Sequence, residues 1–348
     1  MKLLKNILIL VLILLAVSVA YETFFVSNAP LTYFSPQSAS STVYVENGVS
    51  GVVSITDPST HRTVRLNIIY DYLERGSGAI VSKNGYIITA FHVIGDPNAN
   101  NQNELRKMTD NDIKFYVEEA AVSIYLSHYN PQLSTELLNN NHVAIPSDLN
   151  GTINATTHLL IQNNLISANS YHQIITVKFP ASDGIGPLNA QLVDVGDSEI
   201  HDDVALLKVN PSKNLPALNI SSQNQTTRDF FLQLLGLGEN IRIYGYPGSS
   251  NVTQTQLSVT PSTAGGSIKA KEPNSQNTIY YRTNASIFPG YSGGPVLNSK
   301  NELIGILIYG IDSRRNLDQQ TESQSSLFLS SNYIIQICKK NNVPITVV

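Results

Sequence analysis

The chain has 348 residues, with 22 Lys and Arg against 26 Asp and Glu, a net charge of −4 at pH 7. That length accommodates one large domain or two, and 42% hydrophobic composition is enough for a real core. The mild acidity and the lack of any dense Lys/Arg run argue against a nucleic-acid partner, and a single cysteine, Cys338, leaves no intramolecular disulfide.

The N-terminus reads as an export signal. Lys2 and Lys5 precede an apolar run over residues 7–20, short for a full membrane span. Ser18, Val19 and Ala20 offer the small residues of a cleavage site near Ala20. Apolar character resumes at Phe24, Phe25 and Val26, so residues 1–28 also read as an uncleaved anchor with its lysines on the cytoplasmic side, the alternative favoured here. Either way the body of the protein is expected outside the cytoplasm. Six Asn-x-Ser/Thr sequons, at Asn150, Asn154, Asn219, Asn224, Asn251 and Asn284, are compatible with that location.

A Ser-, Pro- and Thr-rich linker is expected over 29–47. Strand patterns follow at 49–55 and 64–70, then two strands around the Asn84-Gly85 turn, the second running into Thr-Ala-Phe-His-Val at 89–93. The β pattern breaks over 96–171. There Ile113, Val117, Ala120, Ala121 and Ile124 recur at helical spacing, with Glu118 and Glu119 on the other side, Thr109 or Asp110 as cap and Pro131 after the end. This helical insertion is expected to pack over or beside a cleft, and a short Gly/Ser turn in its place is expected to leave the rest folded. Strands resume at 174–179, 190–195 and 201–209. A polar connector at 211–238 carries a short apolar helix around 230–235, and a second set of strands lies at 240–244, 254–260, 278–283, 303–308 and 326–329. Ser331 is read as the cap of a C-terminal helix that buries Cys338, with Lys339 and Lys340 at its negative end and Pro344 barring extension. Many short strands in two halves, 48–210 and 239–330, suggest an all-β protein of two barrels.

Within this frame one stretch carries chemistry. Phe288-Pro289-Gly290-Tyr291-Ser292-Gly293-Gly294-Pro295-Val296 puts a serine among glycines, which let the backbone turn tightly and aim its N–H groups at a developing oxyanion. A serine hydroxyl needs a base beside it. His92 after a strand and Asp203 at the opening of another complete the residue types of nucleophile, base and orienting carboxylate.

Thr-Ala-Phe-His-Val (89–93), Asp-Val-Ala-Leu-Leu (203–207) and Gly-Tyr-Ser-Gly-Gly-Pro (290–295) resemble the three signature segments of the trypsin-like, chymotrypsin-fold serine proteases. The words Gly76-Ser77-Gly78, Asn-Gly-Tyr-Ile-Ile-Thr (84–89), Ile-Tyr-Gly-Tyr-Pro (243–247) and Arg-Thr-Asn-Ala-Ser-Ile (282–287) are closer to the HtrA/DegP branch. The resemblance covers about 49–340, apart from the insertion. It implies two six-stranded antiparallel β-barrels with the site between them, no cofactor or metal, and polypeptide substrates. It also implies Ser292 as nucleophile, His92 as general base, Asp203 as its orienter, and the N–H groups of Gly290 and Ser292 as oxyanion hole. Asp203 is preferred to Asp202 because the family aspartate directly precedes Val-Ala-Leu-Leu.

The departures from the pattern are Phe91 and Tyr291, where small or amide residues are common, and Asn284, where that branch usually has Asp; Asn284 is expected to be too buried for glycosylation. No segment follows Val348 for a PDZ domain, so peptide sensing and cage assembly are not inferred. The specificity pocket is expected from Ser286, Ile287 and Tyr291 on one side and Ile306, Leu307 and Ile308 on the other. With no acidic residue there, an apolar P1 side chain is expected. The competing reading is a catalytically silent fold that binds peptides as a chaperone or surface protein.

Overall fold

The computed structural model describes residues 36–101, 105–129, 138–139, 142–143, 150–197, 199–222, 238–247, 261–308 and 326–348. The N-terminal apolar segment, the connector helix expected near 230–235 and the strand expected at 254–260 lie outside them. Among the described residues no helix is long and apolar enough to cross a membrane.

The first sheet contains β1 (Thr42–Thr56), β2 (Thr63–Ile80), β3 (Tyr86–Thr89), β6 (Ile166–Lys178), β7 (Leu188–Asn189), β8 (Gln191–Val195) and β9 (Ala205–Lys208), in the order β7-β6-β1-β2-β3-β9-β8. Its two end strands, β7 and β8, are halves of one segment bent at Ala190, whose N–H donates to the Ile175 carbonyl at 2.8 Å. The sheet therefore wraps round and closes on that segment. Counting β7 and β8 as one wall turns the seven strands into the six-walled barrel expected from the sequence. The β2–β3 hairpin turns at Asn84-Gly85 as expected. Gly85 has φ +99°, a conformation that a Cβ makes costly.

The second sheet is a closed barrel, β10-β11-β12-β15-β14-β13, built from β10 (Asn240–Gly245), β11 (Ser262–Pro273), β12 (Ile279–Thr283), β13 (Pro295–Leu297), β14 (Leu303–Ile308) and β15 (Ser326–Ser330). Ile241, Ile243, Val296, Leu307 and Phe328 fill its interior. All six residues of β14, Leu-Ile-Gly-Ile-Leu-Ile, are buried. Leu307 faces the barrel interior, while Ile306 and Ile308 join a core shared with the first barrel and the C-terminal helix. A strand covered on both faces reads as a continuous apolar run.

The insertion does not sit on a bare barrel rim. The runs expected as separate strands at 64–70 and 76–80 belong to the single strand β2, and residues 42–47, expected in the linker, open β1. β6 begins at Ile166, so the last residues expected in the insertion belong to the sheet. The distal parts of β1, β2 and β6 form an arm whose inner face carries Val49, Val53, Ile55, Ile68, Tyr70 and Ile166. Two helices, α4 (Asp110–Tyr129) and α5 (Asn150–Gln162), cover that face with Val117, Ala120, Ala121, Ile153 and Leu160. The three helices before them are α1 (Pro36–Ser40), α2 (Phe91–Ile94) and α3 (Pro97–Asn101), and two short paired strands, β4 (Leu138–Asn139) and β5 (His142–Val143), lie between α4 and α5 in the chain.

Thr109 caps α4. Its hydroxyl accepts from the Asp112 N–H at 3.3 Å, and the Asp112 carboxylate accepts from the Thr109 N–H at 2.7 Å, a reciprocal capping box. Glu118 and Glu119, expected on the side of the helix opposite the apolar stripe, are buried as well. Glu118 accepts from the Ala168 N–H of β6 at 2.9 Å, and Glu119 faces the Asn154 amide of α5 at 3.4 Å. α5, which the sequence pattern did not single out, covers the side of α4 that was read as polar. Burial pushes the Glu119 carboxyl up to about 7.

The C-terminal helix α6 (Ser331–Lys340) is capped by Ser330 rather than Ser331; the Ser331 hydroxyl instead donates to the Ser221 carbonyl of the connector at 2.6 Å. Cys338 is fully buried, and burial pushes its thiol up to about 12. The helix and the segment after it form a clasp. Lys340 and Asn341 hold the Asp194 carboxylate of β8 at 2.9 and 2.7 Å. Ser82 of the first barrel donates to the Pro344 carbonyl at 2.8 Å, while Ile220 of the connector bridges both Leu303 of β14 and Val347.

Candidate active site

β3 and β9 are antiparallel neighbours, with Thr89 opposite Ala205. The chain leaving β3 therefore passes the chain entering β9, which brings His92 and Asp203 to the same end of the barrel. His92 lies in the first turn of α2, where a backbone N–H has no intrahelical partner. Asp203 supplies one: its Oδ1 accepts from the His92 backbone N–H at 2.9 Å and its Oδ2 meets the ring Nδ1 at 2.6 Å. Two contacts to one carboxylate fix both the ring and the helix turn that carries it. Asp203 is 3% exposed, so its charge sits in a poorly screened setting against the imidazole. A ring held at Nδ1 in this way can exchange a proton with a third group only through Nε2.

Asp202 faces away from this pair. Its Oδ1 is buried and has no hydrogen-bond partner among the described residues. A Cβ on Gly196 would fall 2.2 Å from that oxygen, so only glycine leaves room for it. Burial, and then the neighbouring charges of Asp197 and Asp203, push the Asp202 carboxyl up to about 7 against a lowering bond to the Asp197 backbone. The loop carrying both aspartates is fastened to the second barrel. Tyr280 donates to the His201 carbonyl at 2.7 Å, Asn274 to the Ile200 carbonyl at 3.1 Å, and Thr278 also donates to Ile200.

Ser292 lies in the second of two consecutive β-turns. Tyr291 N–H bonds the Phe288 carbonyl at 3.3 Å, and Gly294 N–H bonds the Tyr291 carbonyl at 2.9 Å. Pro289 takes the second place of the first turn, and Gly290 and Gly293, at φ +95° and +81°, take the third place of each, the pattern of type II turns. Gly293 N–H goes to the Leu307 carbonyl at 2.7 Å. Among the described residues, the N–H groups of Gly290 and Ser292 donate no hydrogen bond. Two undirected backbone donors beside a serine are what an oxyanion site requires.

The serine turn is seated against the segment that delivers His92. A Cβ on Gly293 would lie 2.3 Å from both the Ser77 carbonyl and the Thr89 hydroxyl, and 2.7 Å from Ala90 N. One on Gly76 would meet the Ser292 carbonyl at 2.7 Å and the Val93 side chain at 2.6 Å. Ser77, quoted in the sequence as part of a Gly-Ser-Gly word but given no role there, lies at this meeting point.

The residues expected to wall the specificity pocket separate into two groups. Ser286 is exposed, as is Phe288 at 62%, while Ile287 between them is buried with the core of the second barrel. Tyr291, Ile306, Leu307 and Ile308 are buried. The Tyr291 ring turns into the second barrel, against Gly245, where a Cβ would lie 2.7 Å from it, and its hydroxyl meets Ser262. Asn284, expected to be buried, is exposed just after β12, with its Oδ1 accepting from the Ser267 N–H at 2.8 Å. Among the described residues no group of three or more His, Cys, Asp or Glu side chains is placed to hold a metal ion.

A family model described as a trypsin-like peptidase domain matches residues 76–306, a span that holds His92, Asp203 and Ser292. A serine protease HTRA1 from Xenopus laevis is 30% identical to the chain over 158 residues, which is 45% of this chain and 30% of that relative. The chain thus spans well under two thirds of the length of this relative.

Proposed function

The chain belongs to the trypsin-like peptidase family, and on that premise we propose that it is an exported serine endopeptidase with Ser292, His92 and Asp203 as its triad. Ser292 Oγ attacks the scissile carbonyl while His92 Nε2 takes its proton. The Asp203 carboxylate, on Nδ1, holds the tautomer that makes Nε2 the acceptor and offsets the charge of the imidazolium. The N–H groups of Gly290 and Ser292 receive the oxyanion. His92 then gives its proton to the leaving amine, and water attacks the acyl-enzyme by the same route in reverse.

The observation that carries this reading is the double grip of Asp203 on His92, at 2.9 Å to the backbone N–H and 2.6 Å to Nδ1. A buried carboxylate that serves only to stabilise the fold has no need to select a tautomer. The substrates proposed are unfolded or surface polypeptides with an apolar P1 residue, met outside the cytoplasm by an enzyme held at the membrane through residues 1–28. Phe288 offers apolar surface beside the serine turn, which supports that preference.

A fluorophosphonate probe tests the proposal. Labelling of folded protein at Ser292 is expected, with loss of labelling and of nearly all turnover in both Ser292→Ala and His92→Ala. The double variant is expected to be little worse than either, because the triad acts as a unit. Wild-type protein that resists the probe while folded would favour the silent, peptide-binding reading.

A further inference from the structure

We propose that Ser77, a residue of the first barrel, is the positioning residue for the oxyanion site of the second. The proposal rests on the peptidase reading above and names a residue through which that site is held. Ser77 is fully buried in β2, and every polar atom it has is engaged. Its N–H donates to the Ser292 carbonyl at 2.7 Å and its hydroxyl donates to the Gly290 carbonyl at 2.7 Å. The same hydroxyl oxygen accepts from the Tyr246 N–H of the second barrel at 2.9 Å, and the Ser77 carbonyl accepts from the Thr89 hydroxyl at 2.7 Å.

The two residues whose carbonyls Ser77 grips are the two whose N–H groups are left undirected. Gly290, at φ +95°, has no Cβ to bias its backbone and is the residue of the turn with most freedom to rotate. The peptide after Gly290 is fixed on both edges, by Ser77 at its carbonyl and by Phe288 at the Tyr291 N–H. The Ser292 N–H is fixed from its own peptide, whose carbonyl takes Gly294, and from the next, whose carbonyl takes Ser77. A serine present for packing alone would not need a hydroxyl that donates to one turn and accepts from a neighbouring strand exit. Through Thr89, Ser77 also touches the segment that ends in His92. It therefore aligns donors in one barrel with the base carried by the other.

The test compares wild type, Ser77→Ala and Ser77→Cys in the full chain. The alanine variant removes the donor, and the cysteine variant keeps the shape with a weak one. Competent sites are counted by the end point of fluorophosphonate labelling, so that any loss of folded yield drops out. Hydrolysis of a peptide p-nitrophenyl ester with apolar P1, and inhibition by the matching peptide boronic acid, are then measured per competent site. For Ser77→Ala, kcat is expected to fall about tenfold to a hundredfold with KM within about twofold. Boronate affinity is expected to weaken by the same factor as kcat/KM, because the tetrahedral adduct needs the oxyanion site and the ground state does not. Ser77→Cys is expected to fall in between, and the pH dependence set by His92 to stay where it is in wild type. An unchanged kcat, a loss confined to KM, or unaltered boronate affinity would each assign Ser77 to packing alone. Wild-type protein that takes up neither probe nor ester overturns the peptidase reading, and the role of Ser77 with it. A labelled wild type beside an unimpaired Ser77→Ala overturns the role of Ser77 only.

Discussion

In the second barrel the strands are short: among β10 to β15 only β11, with 12 residues, exceeds six, and the ladder closes on itself. In the first, β1, β2 and β6 run for 15, 18 and 13 residues, and only one end of each contributes to the barrel. The remaining length is an arm with a core of its own, in which α4 and α5 replace a second sheet. His92 follows the exit of β3 in a single helical turn, whereas Asp203 and Ser292 sit in the loops that lead into β9 and β13. The extra strand length extends from the end that carries His92: β2 runs on past Gly76, which lies against Val93, and the Ile94 and Gly95 carbonyls accept from Gln173 and Asn47 where the arm begins, at 2.8 and 3.2 Å.

The sharpest way to break this comparison is to remove the helices. Replacing residues 105–165 with a short Gly/Ser linker strips the cover from Val49, Val53, Ile55, Ile68 and Ile166. Each such side chain contributes about 1.5–3 kcal/mol when fully buried, and their sum reaches the whole stability of an ordinary domain, about 5–15 kcal/mol. The first barrel is therefore expected not to fold, which reverses the sequence-based expectation that the insertion is dispensable. Soluble truncated protein with an intact cooperative melt would show the arm to be separable after all.

Next in size are paired core truncations. Phe328→Ala, in the interior of the second barrel and stacked on Tyr281 at 5.2 Å, is expected to cost about 3–5 kcal/mol. Ile68→Ala in the arm is expected to cost about 2–5 kcal/mol. Native-state hydrogen exchange separates the two regions. Ile68→Ala should speed exchange in α4 and the distal parts of β1 and β2 and leave β10 to β15 protected. Equal acceleration everywhere would make arm and barrels one cooperative unit.

The smallest effect expected is electrostatic. The folded pKa of Asp202, about 7, lies above its ordinary value of 3.8, so the folded state retains a proton that the unfolded chain has lost. Its contribution is most favourable below the ordinary value, declines as pH rises through the window from 3.8 to about 7, and remains a full penalty above it. Asp202→Asn should therefore stabilise the protein at pH 8, on the order of 2 kcal/mol, and do little at pH 4. Glu119→Gln should do the same for the arm, because its carboxyl is also held near 7 by burial. Melting temperatures at the two pH values check both. A gain of equal size at pH 4 and pH 8 would mean that neither carboxyl titrates in that window.

The sequence exposed the hairpin at Asn84-Gly85, the continuous apolar run of β14 and the order of the chemical residues, because each is a local pattern. It did not expose β11, whose Thr-Ala-Gly-Gly-Ser stretch lacks any strand signature. Those glycines answer to a neighbour distant in sequence: a Cβ on Gly266 would lie 2.7 Å from Ala285. Glu118 and Glu119 were misread because a helix wheel shows polarity and not what covers it. Asp203 was separable from Asp202 only by the word that follows it, while the physical distinction depends on Gly196 making room for Asp202 to turn away. Ser77 stood in view inside its Gly-Ser-Gly word, but the groups it grips are more than 200 positions further along the chain.

The clasp formed by residues 331–348 has a consequence in time. During synthesis the strands of the first barrel emerge early and those of the second later, each able to collapse on its own interior. The groups that hold Asp194, Ser82 and the second side of Ile220 are made after all of them. A nascent chain halted before residue 331 carries His92, Asp203 and Ser292 with the contacts of Ser77 and Tyr280 between the barrels, but without the ties from the C-terminal segment to Asp194, Ser82 and Ile220.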